Sequence, residues 1–347
     1  RLRHGMVVEA SVRAAAVGAT LCGAKLGIPR RNPVRSERQG KKDMTTEIGF
    51  GCASLGSRVS RRDGLVALAR AYEASYGDGH AEAILGEFVA GRRDTLRLCT
   101  KVGILPPAPS LPKRLLRPFV RTALAAAPGL RQTVRRHRPS AAKPPLEAAR
   151  ILPSLDASLK RLRTDHVDVL ALHEATQQEV VRDDVLRAIE TALTSGRARA
   201  ISIASSPDAA MAGIAASPLY GVVQLANNPF LPMRARVVPA LPADRTVRIV
   251  THTVFGASGM VERLTGHIRN DEVLAAALAD AGYAGNARDQ ALAYMADYAF
   301  AANDGGVVLM SMFGAGHLEA NLVRLDNMAD RAAIFAIAAR ISADGAA

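Results

Sequence analysis

The sequence predicts an α/β fold, with parallel strands and helices alternating into a (β/α)8 barrel of the TIM kind. Three observations predict it. Strand-like apolar runs at 48–52, 96–100, 167–172, 200–204, 221–226, 247–253 and 307–312 alternate with helical patterns. A helix follows most strands, the order expected of parallel strands joined by right-handed crossovers. Two runs deliver an ionisable side chain at their C-terminal end: 167–172 stops on His173 and 96–100 on Lys101. Catalytic groups of α/β barrels gather at that end.

Taken in order, residues 1–43 read as a basic N-terminal extension outside the domain, 44–325 as the barrel, and 326–347 as a C-terminal helix or tail. The extension holds ten Lys/Arg against Glu9, Glu37 and Asp43. Its apolar run 14–24 is too short to cross a bilayer as a helix, which takes about 20 residues. No membrane partner is expected. The segment 18–25 misses a phosphate-binding loop, since Ala24 follows Gly23 where lysine is required. Helical patterns then fall at 63–74, 80–90, 146–163, 183–195, 207–215, 271–279, 287–301 and 317–325. Asp183 and Asp184 suit a helix N-terminus, where the dipole favours negative charge. Gly196 suits the same helix's C-cap.

Between the second strand run and the helix at 146 stands a long insert, 104–145. It is punctuated by proline and holds nine Lys/Arg with no acid. Because it follows the C-terminal end of a strand, it is expected to overhang the barrel mouth as a lid. Leu115, Leu116, Phe119, Val120 and Leu124 form a short amphipathic pattern within it. The extension and the insert carry +7 and +9 of the +13 net charge, which leaves −3 on the remainder. Basic appendages attract phosphates, but the chain has no Trp and only 4% aromatic residues. Stacking platforms for nucleic acid are therefore scarce, and none is expected as a partner. Cys22, Cys52 and Cys99 are far apart and show no metal-ligand spacing. They point to a reducing, cytoplasmic compartment with no disulfide framework and no metal.

The phrases Ile48-Gly49-Phe50-Gly51, Ala71-Tyr72-Glu73, Tyr76-Gly77-Asp78-Gly79, Glu82-Ala83-Ile84-Leu85-Gly86, Thr100-Lys101, Ser158-Leu159-Lys160-Arg161-Leu162, Val167-Asp168 and Leu318-Glu319-Ala320-Asn321-Leu322 occur in that order. In order and spacing the chain resembles the aldo-keto reductases from about Ile48 to about Leu325. The resemblance implies a carbonyl reductase in which Tyr76 donates a proton, Lys101 lowers the tyrosine's pKa and His173 positions the substrate. It also implies a loss. The helix ending near Ala74 runs directly into Ser75-Tyr76, where the family has a turn and a strand that carries its catalytic aspartate. About eight to ten residues, one turn and one strand by typical lengths, are missing. The second strand of the barrel is therefore expected to be absent, and only seven runs are found. The apolar Met6-Val7-Val8 is one segment that could patch the gap.

For the cofactor, Gly49, Gly51 and Gly56 have the wrong spacing for a Rossmann fingerprint. The resemblance instead assigns NADP(H), with NAD(H) as a second option. Ser205 stands where the family has an asparagine for the carboxamide, and Gln224 matches its carboxamide-binding glutamine. His252 stands where an aromatic ring stacks on the nicotinamide. Phe255 and Gly256 open the pyrophosphate loop, and Asn321 matches the asparagine that holds adenine. Ser311 and His317 replace the lysine and arginine of the 2′-phosphate site, which weakens the NADP preference. The expected function is NAD(P)H-dependent reduction of a small-molecule aldehyde or ketone. The alternatives are a catalytically impaired relative that binds a nucleotide or protein partner and, more weakly, a basic nucleic-acid-associated protein.

Overall fold

A computed structural model describes residues 11–12, 46–51, 63–65, 80–103, 145–256, 259–314 and 316–344. Seven strands run parallel: β2 (Glu47–Phe50), β3 (Cys99–Val102), β4 (Val167–His173), β5 (Ala198–Ala204), β6 (Tyr220–Ala226), β7 (Arg248–His252) and β8 (Val307–Met310). The two-residue β1 (Ser11–Val12) pairs antiparallel with β2, Ser11 opposite Gly49 and Val12 opposite Ile48. The sheet order is β1-β2-β8-β7-β6-β5-β4-β3. Among the described residues no parallel strand lies between β2 and β3, the place where the sequence lacks one. A piece of the basic extension, a few residues beyond Met6-Val7-Val8, takes that edge of β2 instead.

The helices are, in chain order, α1 (His80–Val89), α2 (Ala148–Leu162), α3 (Gln177–Val180), α4 (Asp183–Thr194), α5 (Pro207–Ala216), α6 (Met233–Val237), α7 (Met260–Asn270), α8 (Glu272–Asp280), α9 (Ala287–Ala302), α10 (His317–Asp326) and α11 (Arg331–Asp344). In α2 the buried Ile151, Leu155, Leu159 and Leu162 recur at helical spacing and form its core face. Arg163 ends α2 in the left-handed region at φ 54°, its N–H donating to the carbonyls of Leu159 and Lys160. A side chain at Gly86 of α1 would collide with the Arg161 carbonyl, so glycine allows the two helices to approach closely.

The main core lies between the sheet and its helices, with Leu170, Leu172, Ile201, Ile203, Val223 and Leu225 all buried on the outer face. A second cluster joins α7, α8, α9 and α11 around Tyr283, Tyr294 and Tyr298. This explains why α9 lacks a polar face. Its Ala299 and Phe300 meet the sheet, while Tyr294 and Met295 meet the outer helices. Helix α7 was not expected from the sequence.

The sheet is curled. Gln224 of β6 donates through Nε2 to the Cys99 sulfur of β3 at 3.0 Å. These strands are three apart, roughly 14 Å in a flat sheet at about 4.8 Å per strand. Only a sheet bent round its inner face brings them into contact.

Candidate active site

Alternation along the strands sets which side chains enter the curl. Cys99, Ala171 and Ala204 pack together on the inner face with Val169. Lys101, two residues beyond Cys99, shares that face, pairs in register with Ala171 and is 6% exposed. It is the third residue of β3. The sequence run expected it just past a strand end, but the strand begins at Cys99 because Arg93–Thr95 form a single 3-10 turn.

His173 is the last residue of β4, in register with Ala204. Beyond it the chain turns sharply: Glu174 adopts φ 54° and its N–H donates to the Ala204 carbonyl at 2.8 Å. Gly103, at φ 114°, passes so near that an added Cβ would lie 3.3 Å from the His173 carbonyl oxygen. The ends of β3 and β4 are thus held side by side.

On the other wall, Gln224 is fully buried. Its Nε2 is engaged by Cys99, but its Oε1 has no hydrogen-bond partner among the described residues. Such an orphan acceptor costs about 1–3 kcal/mol unless something donates to it. Ser202 Oγ on β5 and Asn227 Nδ2 just after β6 are also buried without partners. Three of the four unpartnered buried side-chain atoms among the described residues therefore lie on β5, β6 or the turn after β6. Buried polar atoms of this kind are normally completed by an ordered water or a ligand.

His252 ends β7, paired with Ala226. Burial first, and then the Lys101 ammonium, push its imidazole down to about 3, so it is neutral at physiological pH. Lys101 of β3 and His252 of β7 are therefore within electrostatic reach of each other. The His252 Nδ1 lies 2.7 Å from Thr253 Oγ1. Thr253 itself has φ 63°, an uncommon and strained conformation for a β-branched residue. The turn continues through Val254 and Phe255 to Gly256 at φ 71°, whose N–H donates to the Thr253 carbonyl at 2.9 Å. A side chain at Gly256 would run into Met260, so this turn demands glycine.

The remaining expected residues lie farther out. Ser205 follows β5, and its hydroxyl donates to the Ala175 carbonyl at 2.6 Å. Asn321 is a half-buried residue of α10, the helix after β8. Ser311 and His317 are exposed at the start of that connection. Arg324, the basic residue in the last turn of α10, is committed to the buried Asp297 at 2.5 Å. Tyr76 and the insert 104–144 lie outside the described residues. The structure therefore brings together Lys101, His173, Gln224 and His252 at the C-terminal end of the strands. Sequence reasoning missed Cys99 as their neighbour, although alternation from Lys101 marks it as inward-facing.

The aldo/keto reductase family profile matches residues 47–330. The chain belongs to the aldo/keto reductase family. No curated protein sequence matches it significantly. Among solved structures, an aldo/keto reductase from Klebsiella pneumoniae in complex with NADP and acetate is 16% identical. It aligns over 84% of this chain and 92% of its own, with a TM-score of 0.55. The holo form of an aldo-keto reductase from Bacillus halodurans is also 16% identical, over 86% and 94%, with a TM-score of 0.51. A thermostable aldo-keto reductase in complex with the inhibitor epalrestat is 18% identical, over 80% and 88%, at 0.52. These likenesses establish the shared barrel fold. Like its family, this aldo/keto reductase is an oxidoreductase by descent. None of its described helices is long and apolar enough to cross a membrane.

Proposed function

We propose that this aldo/keto reductase reduces an aldehyde or ketone to the alcohol with NADPH or NADH. The observation that carries the reading is the fully buried Oε1 of Gln224, unpartnered among the described residues, on a curled sheet that also carries the neutral His252 and the buried Lys101. A carboxamide N–H2 is the donor that this acceptor lacks, and a neutral imidazole can lie against a nicotinamide ring without adding charge. The strained Thr253–Gly256 turn offers backbone N–H groups of the kind that bind phosphate oxygens. Similar solved proteins are described as complexes with NADP or NADPH. The residues present therefore fit the nicotinamide end. At the adenine end, Asn321 fits, while Ser311 and His317 bring no fixed cation to a 2′-phosphate.

When bound, the reduced nicotinamide supplies a hydride to the carbonyl carbon. The protein must then protonate the nascent alkoxide. Tyr76 is assigned that proton by its sequence context. A tyrosine of ordinary pKa near 10 is a reluctant acid at neutral pH, and a nearby ammonium such as that of Lys101 lowers it. His173 would donate a hydrogen bond to the oxygen as charge grows there. The sequence lacks, between Ala74 and Ser75, the strand that carries the family's aspartate, so turnover is expected to be slow.

The test is Tyr76→Phe, assayed with a generic aldehyde and saturating NADPH. The hydroxyl acts on the transition state, so activity should fall by roughly 10²-fold or more while cofactor affinity stays within about twofold. A variant that keeps most of its activity would remove Tyr76 from the reaction.

A further inference from the structure

One end of the Gln224 amide donates hydrogen bonds and the other accepts them. Gln224 is fully buried on the inner face of β6, so the end that meets a ligand decides what the site can recognise. An amide has nearly the same shape either way round, and its hydrogen bonds set its orientation. Here the orienting neighbour is Cys99 of β3, fully buried like Gln224. Ala204 of β5 stands in register with Gln224, and Val169 of β4 with Cys99. Ala171, Ala204 and Val169 pack against Cys99. Alanines on the two intervening strands thus leave the glutamine room to reach the thiol and give the sulfur an apolar setting.

The thiol carries one hydrogen. It is directed at the Thr100 carbonyl, with 3.9 Å between sulfur and oxygen. Toward Gln224 the sulfur is then an acceptor, and the group it meets at 3.0 Å is Nε2. Sulfur accepts weakly. Beside alanine and valine side chains a weak acceptor still outweighs none, because a low local dielectric strengthens the contact. With Nε2 held on β3, Oε1 is the end left for a ligand, and it has no partner among the described residues.

We propose that Cys99 is a positioning residue for the cofactor: its sulfur holds Gln224 Nε2 and so presents Oε1 to the amino group of the nicotinamide carboxamide. The inference rests on the reading of this site as a nicotinamide site. Cys99 acts through Gln224 and sets which face of the amide the cofactor meets.

The probes are NAD and NADP, each beside its 3-acetylpyridine analogue, titrated calorimetrically into the full chain. The analogue carries a methyl ketone in place of the carboxamide, so it lacks the N–H2 that Oε1 would accept from. The parent should bind at least one nicotinamide form roughly tenfold or more tightly than its analogue. Cys99→Val removes the acceptor, and that ratio should fall to about threefold or less. Cys99→Ala removes it without added bulk and should do the same. Cys99→Ser keeps an acceptor in place and should keep most of the ratio. A merely structural role would weaken both forms alike and leave the ratio unchanged. A parental ratio in Cys99→Val and Cys99→Ala would therefore overturn the proposal while leaving Gln224 as the carboxamide's partner. An equal collapse in Cys99→Ser would overturn it too, since packing and not the acceptor would then matter. A parent that binds no nucleotide, or binds both forms equally, would overturn this inference together with the reading on which it rests.

Discussion

His252 shows most directly what burial does to a single side chain. In the unfolded chain its pKa returns to about 6.5, while in the folded chain it lies near 3. Between those values the unfolded chain takes up a proton that the folded chain refuses. Its contribution to stability is therefore complete above about pH 6.5 and is lost as the pH falls toward 3. By about pH 4.5 the loss should reach about 2–3 kcal/mol. His252→Asn should remove that increment from the acid limb of a denaturant-unfolding series, leaving a flatter profile than the parent. Identical profiles would mean that the imidazole protonates freely in the folded state. Lys101 and His173 were legible in the sequence because each stands at the C-terminal end of an apolar run. The contact between Cys99 and Gln224 was not legible, because it spans 125 residues and needs the curl of the sheet.

Among the elements, the joint between α1, α2 and β3 sets the position of Lys101. Glu82 of α1 is buried and accepts from Arg161 of α2 at 2.5 Å and from Thr100 Oγ1 at 2.9 Å. Burial raises the Glu82 pKa despite the opposing guanidinium. Arg161→Met would leave a buried carboxylate without its cation, which typically costs about 3–5 kcal/mol. Its denaturation midpoint should fall accordingly, and Glu82→Gln in the same background should restore part of the loss. No restoration would mean that Arg161 acts through packing alone. Most strands and helices of this joint were readable from periodicity. Helix α7 was readable in principle, since Val261, Leu264, Thr265 and Ile268 are buried at helical spacing. It was missed because Gly256 and Gly259 before it, and Glu262, Arg263 and His267 within it, resemble a polar loop. The start of β3 was displaced because Leu96 and Leu98 are buried like strand residues without pairing as a strand.

Across the whole molecule, the seam between β2 and β3 holds no parallel strand among the described residues. Its absence of a parallel strand was legible only by resemblance, since periodicity cannot register residues that are not there. The antiparallel Ser11–Val12 now occupies the edge of β2. A strand of the type apolar–apolar–Asp–Thr–Ala, inserted between Ala74 and Ser75, would compete for that edge and place a carboxylate near Lys101. The carboxylate favours and orients the ammonium. Turnover of a generic aldehyde should rise by roughly 10²- to 10⁴-fold, the range of a positioned acid–base group. Equal turnover in two folded proteins would mean that the present chain already has a complete site.

The central claim is that a nicotinamide cofactor occupies the space bounded by Lys101, Gln224 and His252. The most direct measurement is a titration of the purified chain with NADPH and with NADH, followed by the cofactor's own fluorescence. Saturable binding of at least one is predicted, weakened at least tenfold by Gln224→Leu, which removes the buried acceptor. No saturation up to about millimolar cofactor, or affinity unchanged in Gln224→Leu, would contradict it.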